Sequence, residues 1–184
     1  MLFDCDGTLV DTASVHATAW ASALEAHGIV QDPQWFRSRA GLSSADVLAA
    51  LAEEVPGLPA PAVDIVRRRH LAQALGHVRA VAVVSQLAQR LVAAGTPVAV
   101  ASGGSRDNVT ASLAAAGLQG LFTVVVTRED APRGKPAPDL FLVAAQRLGV
   151  EPAGCLVYED SPEGLAAAAA AGMRSVDVRP YTSG

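Results

Sequence analysis

Asp4-Cys5-Asp6-Gly7-Thr8-Leu9-Val10-Asp11 puts two carboxylates one residue apart, directly after the apolar pair Leu2-Phe3. In an extended chain, residues two apart point to the same side, so Asp4 and Asp6 are expected to face one spot. Gly7 suits a sharp turn that needs positive φ. Carboxylates aimed together repel unless a cation or a shared proton lies between them. The run therefore predicts a metal ion, proton chemistry, or both. A calcium loop is excluded: its fifth and twelfth positions would be Thr8 and Val15, where that loop needs an acid and a glutamate.

Three further segments carry groups that fit the same chemistry. Ser102-Gly103-Gly104-Ser105 opens a predicted helix and offers N–H groups and a hydroxyl to an anion. Lys135, in Arg133-Gly134-Lys135-Pro136, supplies a point charge suited to phosphate. Glu159-Asp160 adds hard oxygens that suit Mg²⁺. Neither glycine-containing segment is a nucleotide P-loop. The first lacks the Gly-Lys-Ser/Thr ending, and Glu129 stands at the upstream glycine position of the second. Taken singly, each segment has a plain use as a turn, a helix cap or a surface charge.

The elements that position these segments make them one site. Short apolar runs at 97–101, 122–127, 155–158 and 174–178 read as buried strands. Helical patterns at 85–94, 105–116, 138–148 and 162–171 lie between them. Gly95, Gly117, Gly149 and Gly172 follow the last periodic residue of each helix. Strands alternating with helices indicate a Rossmann-like three-layer α/β core with a parallel sheet. Ligands of such sheets bind beyond the carboxyl ends of the strands, which is where all four segments fall. The stretch from Thr12 to about Arg79 differs. It shows helical patterns near 14–26, 33–39, 43–54 and 61–75, no strand, and a break at Val55-Pro56-Gly57-Leu58-Pro59. The chain is expected to return to the sheet near 78–84. The predicted organisation is a core of 1–11 and 80–184, with a small helical cap of 12–79 inserted after the first strand.

Charge narrows the chemistry. Asp4, Asp6, Glu159 and Asp160 sum to −4 when ionised, and Lys135 brings the site to −3. A phosphate dianion would be repelled, at about 1 kcal/mol per unit pair at ~4 Å even in bulk water. Mg²⁺ and one proton, placed on Asp6, bring the site to neutrality. Elsewhere the composition excludes other classes. The 184 residues are half apolar, ample for one core, and carry a net charge of −4. Arg67-Arg68-Arg69, the only basic run, reads as a solvated helix face, so no nucleic-acid partner is expected. Two cysteines make no disulfide framework, and Cys5 and Cys155 read as small apolar fillers. No signal peptide and no apolar stretch of membrane-spanning length is evident, and the alanine run 166–171 is far too short. A cytoplasmic monomer without membrane contact is expected.

The four segments, in this order, resemble the haloacid dehalogenase superfamily of aspartate-based phosphotransferases, and the resemblance covers nearly the whole chain. The insert after the first strand is similar to the small cap of the β-phosphoglucomutase-like group, as are His16 and Trp20, four apart on the first cap helix. Gly134-Lys135-Pro136-Ala137-Pro138-Asp139 and Glu159-Asp160-Ser161-Pro162-Glu163-Gly164 match that group closely. The short cap and the ending Val176-Asp177-Val178-Arg179-Pro180 look most like its fructose-1-phosphate/6-phosphogluconate phosphatase branch.

The resemblance implies a Mg²⁺-dependent phosphatase of small sugar phosphates, with β-phosphoglucomutase as the alternative. By it, Asp4 is the nucleophile, Asp6 the general acid and base, and Ser102 and Lys135 hold the phosphoryl oxygens, with Gly103 beside them. Asp4, the Asp6 carbonyl, Glu159 and Asp160 hold the metal. His16, Trp20, Arg39 and Gly41 contact substrate. The mutase branch carries a basic residue where Ser44 stands, which favours the phosphatase. A non-catalytic binding protein is the remaining class, and it would have no need of both Asp4 and Asp6.

Overall fold

The computed structural model describes residues 1–37 and 44–182. Five strands form one parallel sheet: β1 (Leu2–Phe3), β4 (Ala99–Ala101), β5 (Val124–Val126), β6 (Leu156–Glu159) and β7 (Arg174–Asp177), in the order β5-β4-β1-β6-β7. The shortest strand, β1, is central, with Phe3 in register with Val100 on one side and Tyr158 on the other. The expected three-layer α/β architecture is present. The period of two sorts the strand residues between two cores. Phe3 and Val100 pack with Val84 and Ala88 of α5 (Ala82–Ala93) and Val109 and Leu113 of α6 (Arg106–Ala115). Leu2, Ala99, Ala101 and Val157 face the other way, onto Phe141 and Ala144 of α7 (Asp139–Leu148) and Ala167 and Ala168 of α8 (Pro162–Ala170). A last helical turn, α9 (Arg179–Thr182), follows β7. All four helix-closing glycines adopt positive φ, as expected.

Between Ala13 and Ala74 the described residues form four helices and no strand: α1 (Ala13–Glu25), α2 (Pro33–Arg37), α3 (Ser44–Glu54) and α4 (Ala60–Ala74). They have their own apolar centre, built from Trp20, Ala23 and Leu24 of α1, Val47 and Leu51 of α3, and Val63 of α4. Arg67 belongs to this packing and corrects the reading of the basic run as a solvated face. Val63, Arg67 and Leu71 fall on one buried stripe of α4, while Arg68 and Arg69 are exposed. Arg67 is 5% exposed, and its guanidinium lies 4.9 Å from the centre of the Trp20 ring and is held by Asp64 at 2.6 Å. Such a stacked, ion-paired arginine fits an apolar setting that a lysine would not.

The return of the chain near 78–84 also differs from expectation. Val10–Asp11 (β2) and Arg79–Ala80 (β3) pair antiparallel in a separate two-stranded ribbon, and α5 begins at Ala82. A short apolar run does not separate strand from helix by pattern alone. Here Val84 turns inward from the helix while Val83 is exposed. The ribbon ties together the two crossings between the helical segment and the sheet. Cys5 and Cys155 are both free and buried, consistent with apolar filling. No helix among the described residues is long and apolar enough to cross a membrane.

Candidate active site

The turn after β1 builds the site. The Asp4 N–H still donates to the Tyr158 carbonyl at 3.0 Å, so Asp4 is anchored to β6. The chain then closes on itself: Leu9 and Val10 N–H groups both donate to the Cys5 carbonyl at 3.0 Å, and the Gly7 N–H donates to the Val10 carbonyl at 2.8 Å. Gly7 has φ 84°, and a Cβ there would lie 2.2 Å from an Asp160 carboxylate oxygen. Glycine is thus required twice, by the backbone and by the close approach of Asp160.

Lys135 joins the first strand to the sixth. Its ammonium donates to Asp4 Oδ1 at 2.5 Å and to Glu159 Oε2 at 2.6 Å; the two acids are buried and the lysine side chain is 10% exposed. Glu159, 1% exposed, has its other oxygen filled by the Asp160 N–H (3.0 Å), the Ser161 N–H (2.9 Å) and the Ser161 hydroxyl (2.9 Å). Ser161 also caps α8, accepting from the Gly164 N–H at 3.0 Å. A Cβ on Gly164 would lie 2.0 Å from the Glu159 carboxyl group. Gly→Ala inside a helix ordinarily stabilises by about 1 kcal/mol. For Gly164→Ala the clash outweighs that gain, because overpacking costs roughly 1–3 kcal/mol and Glu159 has no free direction to move. The variant is expected to unfold at lower denaturant concentration than the parent, whereas a midpoint at or above the parent value would show that Glu159 yields without cost.

Asp4 and Asp6 take different partners. Asp4 points to Lys135, whereas Asp6 Oδ2 accepts from the Ser102 hydroxyl at 3.4 Å and its Oδ1 lies 3.8 Å from His16 Nε2. Their electrostatics diverge as well. Burial, then the neighbouring Glu159 charge, raises the Asp4 carboxyl well above its ordinary range. Burial also acts to raise Asp6, but the hydrogen bonds from His16 and Thr12 outweigh it and leave Asp6 lowered. Burial and Glu159 push Asp160 up to about 6. Asp6 thus shifts in the opposite direction to Asp4 and Asp160.

Ser102, fully buried at the end of β4, accepts from the Gly104 N–H at 3.0 Å, which fixes its hydroxyl between that amide and Asp6. Gly103 lies between them in the turn, and Ser105 caps α6 through the Asn108 N–H at 3.4 Å. His16 is brought to Asp6 by the first turn of α1. Trp20, one turn further, is 6% exposed and stacks on Phe36 at 5.8 Å and under Arg67, so its position is that of a packing residue. Arg39 and Gly41 lie outside the described residues. Sequence reasoning missed Thr8, whose hydroxyl donates to Asp160 at 3.0 Å, together with Thr12 and Ser161. Thr12 and Ser161 each follow an acid and precede a helix, and Thr8 lies two residues after Asp6, a weak signal that a buried hydroxyl's need for a partner would have strengthened.

Asp4, Glu159 and Asp160 each offer an oxygen within 4.8 Å of the others. An all-carboxylate donor set suits a hard divalent cation such as Mg²⁺, and the raised Asp4 and Asp160 show the shortage of positive charge that one would relieve. The residues therefore fit the ion. Glu159 is the least available of the three, since both of its oxygens already accept hydrogen bonds.

A carboxylate anchored to the central strand, a buried lysine on it, a Ser-Gly-Gly turn and a second acid pair now lie at one edge of a parallel sheet. The family profile of haloacid dehalogenase-like hydrolases matches residues 1–172, and the chain belongs to that family: it is a hydrolytic enzyme. It is 35% identical to fructose-1-phosphate phosphatase YqaB of Escherichia coli (strain K12), over 97% of this chain and 95% of that protein. It is 33% identical to hexitol phosphatase A of the same organism, over 96% of this chain and 81% of that one. Among solved structures, a hydrolase from Pseudomonas syringae superposes with a TM-score of 0.84 at 29% identity, covering 96% of this chain and 82% of that one.

Proposed function

We propose that this chain is a Mg²⁺-dependent phosphatase of small sugar phosphates that works through an aspartyl phosphate. The observation that carries the reading is the separation of the two acids: Asp4 is held by Lys135, Asp6 by Ser102 and His16. One carboxylate is thereby presented as nucleophile and the other as proton carrier. The names of the two Escherichia coli relatives, a fructose-1-phosphate phosphatase and a hexitol phosphatase, support a phosphorylated sugar or sugar alcohol as substrate.

In this reading an Asp4 oxygen bonds to phosphorus as the phosphorus–sugar oxygen bond breaks, and Asp6 gives its proton to the leaving oxygen. A water then attacks phosphorus, Asp6 takes a proton from it, and Asp4 leaves as carboxylate with inorganic phosphate. The ionised form favoured by His16 suits the second half, and a phosphate dianion beside Asp6 raises its affinity for the proton needed in the first. Lys135 and Ser102, with the Gly103–Gly104 turn, stabilise charge on the transferring oxygens. Asp4, Asp160 and the Asp6 carbonyl would hold Mg²⁺, with Glu159 adjacent. When bound, the ion neutralises the acid cluster against the incoming dianion. Residues 1–11 and 80–184 form the phosphotransferase core, and 12–79 are the cap that closes over it. His16, Arg39 and Gly41 meet the substrate, and Trp20 packs on Phe36 and Arg67 behind His16. The enzyme acts as a cytoplasmic monomer, without nucleic-acid or membrane partners.

The test is phosphate release from fructose 1-phosphate and 6-phosphogluconate. Activity is expected to vanish in a chelator, return with Mg²⁺ and be inhibited by Ca²⁺, which takes more ligands at longer distances. Full activity in chelator overturns the metal assignment. β-Glucose 1-phosphate, if turned over, is expected to give glucose and phosphate, since Ser44 offers no cation to retain a bisphosphate. Formation of glucose 6-phosphate stimulated by β-glucose 1,6-bisphosphate would instead make the enzyme a mutase.

A further inference from the structure

We propose that Thr8 is a positioning residue that sets the orientation of the Asp160 carboxylate for the divalent cation, an inference that rests on the metal-dependent reading above. Thr8 is fully buried, and its hydroxyl donates to Asp160 Oδ1 at 3.0 Å across 152 residues of sequence. The second carboxylate oxygen is fixed by shape. Asp160 Oδ2 packs so closely on Gly7 that a Cβ there would stand 2.2 Å away. One oxygen is thus held by a hydrogen bond and the other by contact with bare backbone. Two adjacent residues of the first turn clamp a carboxylate that begins a different loop.

The clamp matters because Asp160 lacks the support its neighbour has. Glu159 receives three hydrogen bonds from the backbone and side chain of its own loop, plus Lys135. Asp160 is less buried, and Thr8 is its side-chain donor. A carboxylate free to rotate about χ2 must lose that freedom when it takes up an ion, so pre-orienting it raises affinity. Outer residues that orient metal ligands are typically worth roughly 10–100-fold in metal affinity. Thr8 also shares its turn with Asp4, so one turn delivers one ligand directly and orients the other. The hydroxyl, rather than the bulk of the side chain, is the group that performs this task.

Mg²⁺ titration calorimetry on the whole protein tests the assignment, with thermal unfolding as a check on the fold. Thr8→Val keeps the branched shape and removes the donor. It is expected to bind Mg²⁺ roughly 10-fold more weakly, with the Mg²⁺ concentration for half-maximal phosphate release rising in proportion and kcat at saturating Mg²⁺ much less affected. Thr8→Ser restores the hydroxyl and is expected to bind like the parent. Thr8→Ala answers the same question if valine prevents folding, and weak binding is again expected. Parent-like Mg²⁺ affinity in a folded Thr8→Val or Thr8→Ala overturns the assignment, as does a folded Thr8→Ser that binds as weakly as valine. A parent protein that takes up no Mg²⁺ overturns the metal-dependent reading itself, and the assignment with it.

Discussion

Asparagine at position 4 is expected to abolish turnover and the covalent phosphoenzyme together. The change is nearly isosteric, and Lys135 keeps Glu159 as a charged partner, so the fold is retained. The amide has no anionic oxygen to offer phosphorus. Removing a nucleophile elsewhere costs on the order of 10⁴–10⁶-fold in rate, and a loss of that size is expected for Asp4→Asn. Stability should not fall with it. Asp4 is a buried acid raised by its surroundings and by Glu159, so deleting its charge removes a repulsion. Phosphate release, together with mass-spectrometric detection of the phosphoryl adduct after acid quench, measures both effects. Activity near that of the parent, or an adduct still formed, would exclude Asp4 as nucleophile.

Lys135→Ala is expected to damage both fold and function. The ammonium contacts two carboxylates whose side chains are 8% and 1% exposed. Breaking a buried pair by removing one partner costs about 3–5 kcal/mol, because the remaining charge stays buried without compensation. Loss of a donor aimed at the transferring group costs roughly a further 10²–10³-fold in rate. The pH dependence has a definite sign. Asp4 already has a folded-state pKa above its unfolded value, and losing Lys135 raises it further. The folded state then binds the extra proton, so stability is recovered as pH falls through that raised pKa and lost as pH rises. Melting temperatures of the variant are therefore expected to drop more steeply with rising pH than those of the parent. A variant as stable as the parent, with the same pH slope, would show that Lys135 is not the counter-charge of this pair.

The site was legible where residue type and topology combine. Asp4, Ser102, Lys135 and Glu159-Asp160 are far apart in sequence, yet each follows or precedes a strand whose carboxyl end lies on the same sheet edge. Periodicity was enough to see this, because buried parallel strands are short apolar runs separated by helices. It was not enough to see which partner each acid takes. Asp4 is held by Lys135 and Asp6 by Ser102, both contacts between segments far apart in sequence. The ribbon of Val10–Asp11 with Arg79–Ala80 was invisible because two-residue strands carry no period. Trp20 and Arg67 show the same limit from the other side. Each has the chemistry of a ligand contact, and each is used to pack α1 on α4. Thr8 and Ser161 were overlooked because a hydroxyl near an acid in sequence is common, and for Thr8 only contact across the fold, with Asp160, distinguishes it.

The central strand carries a last consequence, for synthesis on the ribosome. Leu2 and Phe3 are made long before their partners, Ala99 and Val100 on one side and Val157 and Tyr158 on the other. In the nascent chain Asp4 therefore lacks its anchor on Tyr158 until β6 has emerged, and pairings so distant in sequence form slowly. Glu159 and Asp160 arrive with that same strand. The three carboxylates that could hold a cation, Asp4, Glu159 and Asp160, therefore come together only after β6 has emerged, with β7 still to be added at the sheet edge.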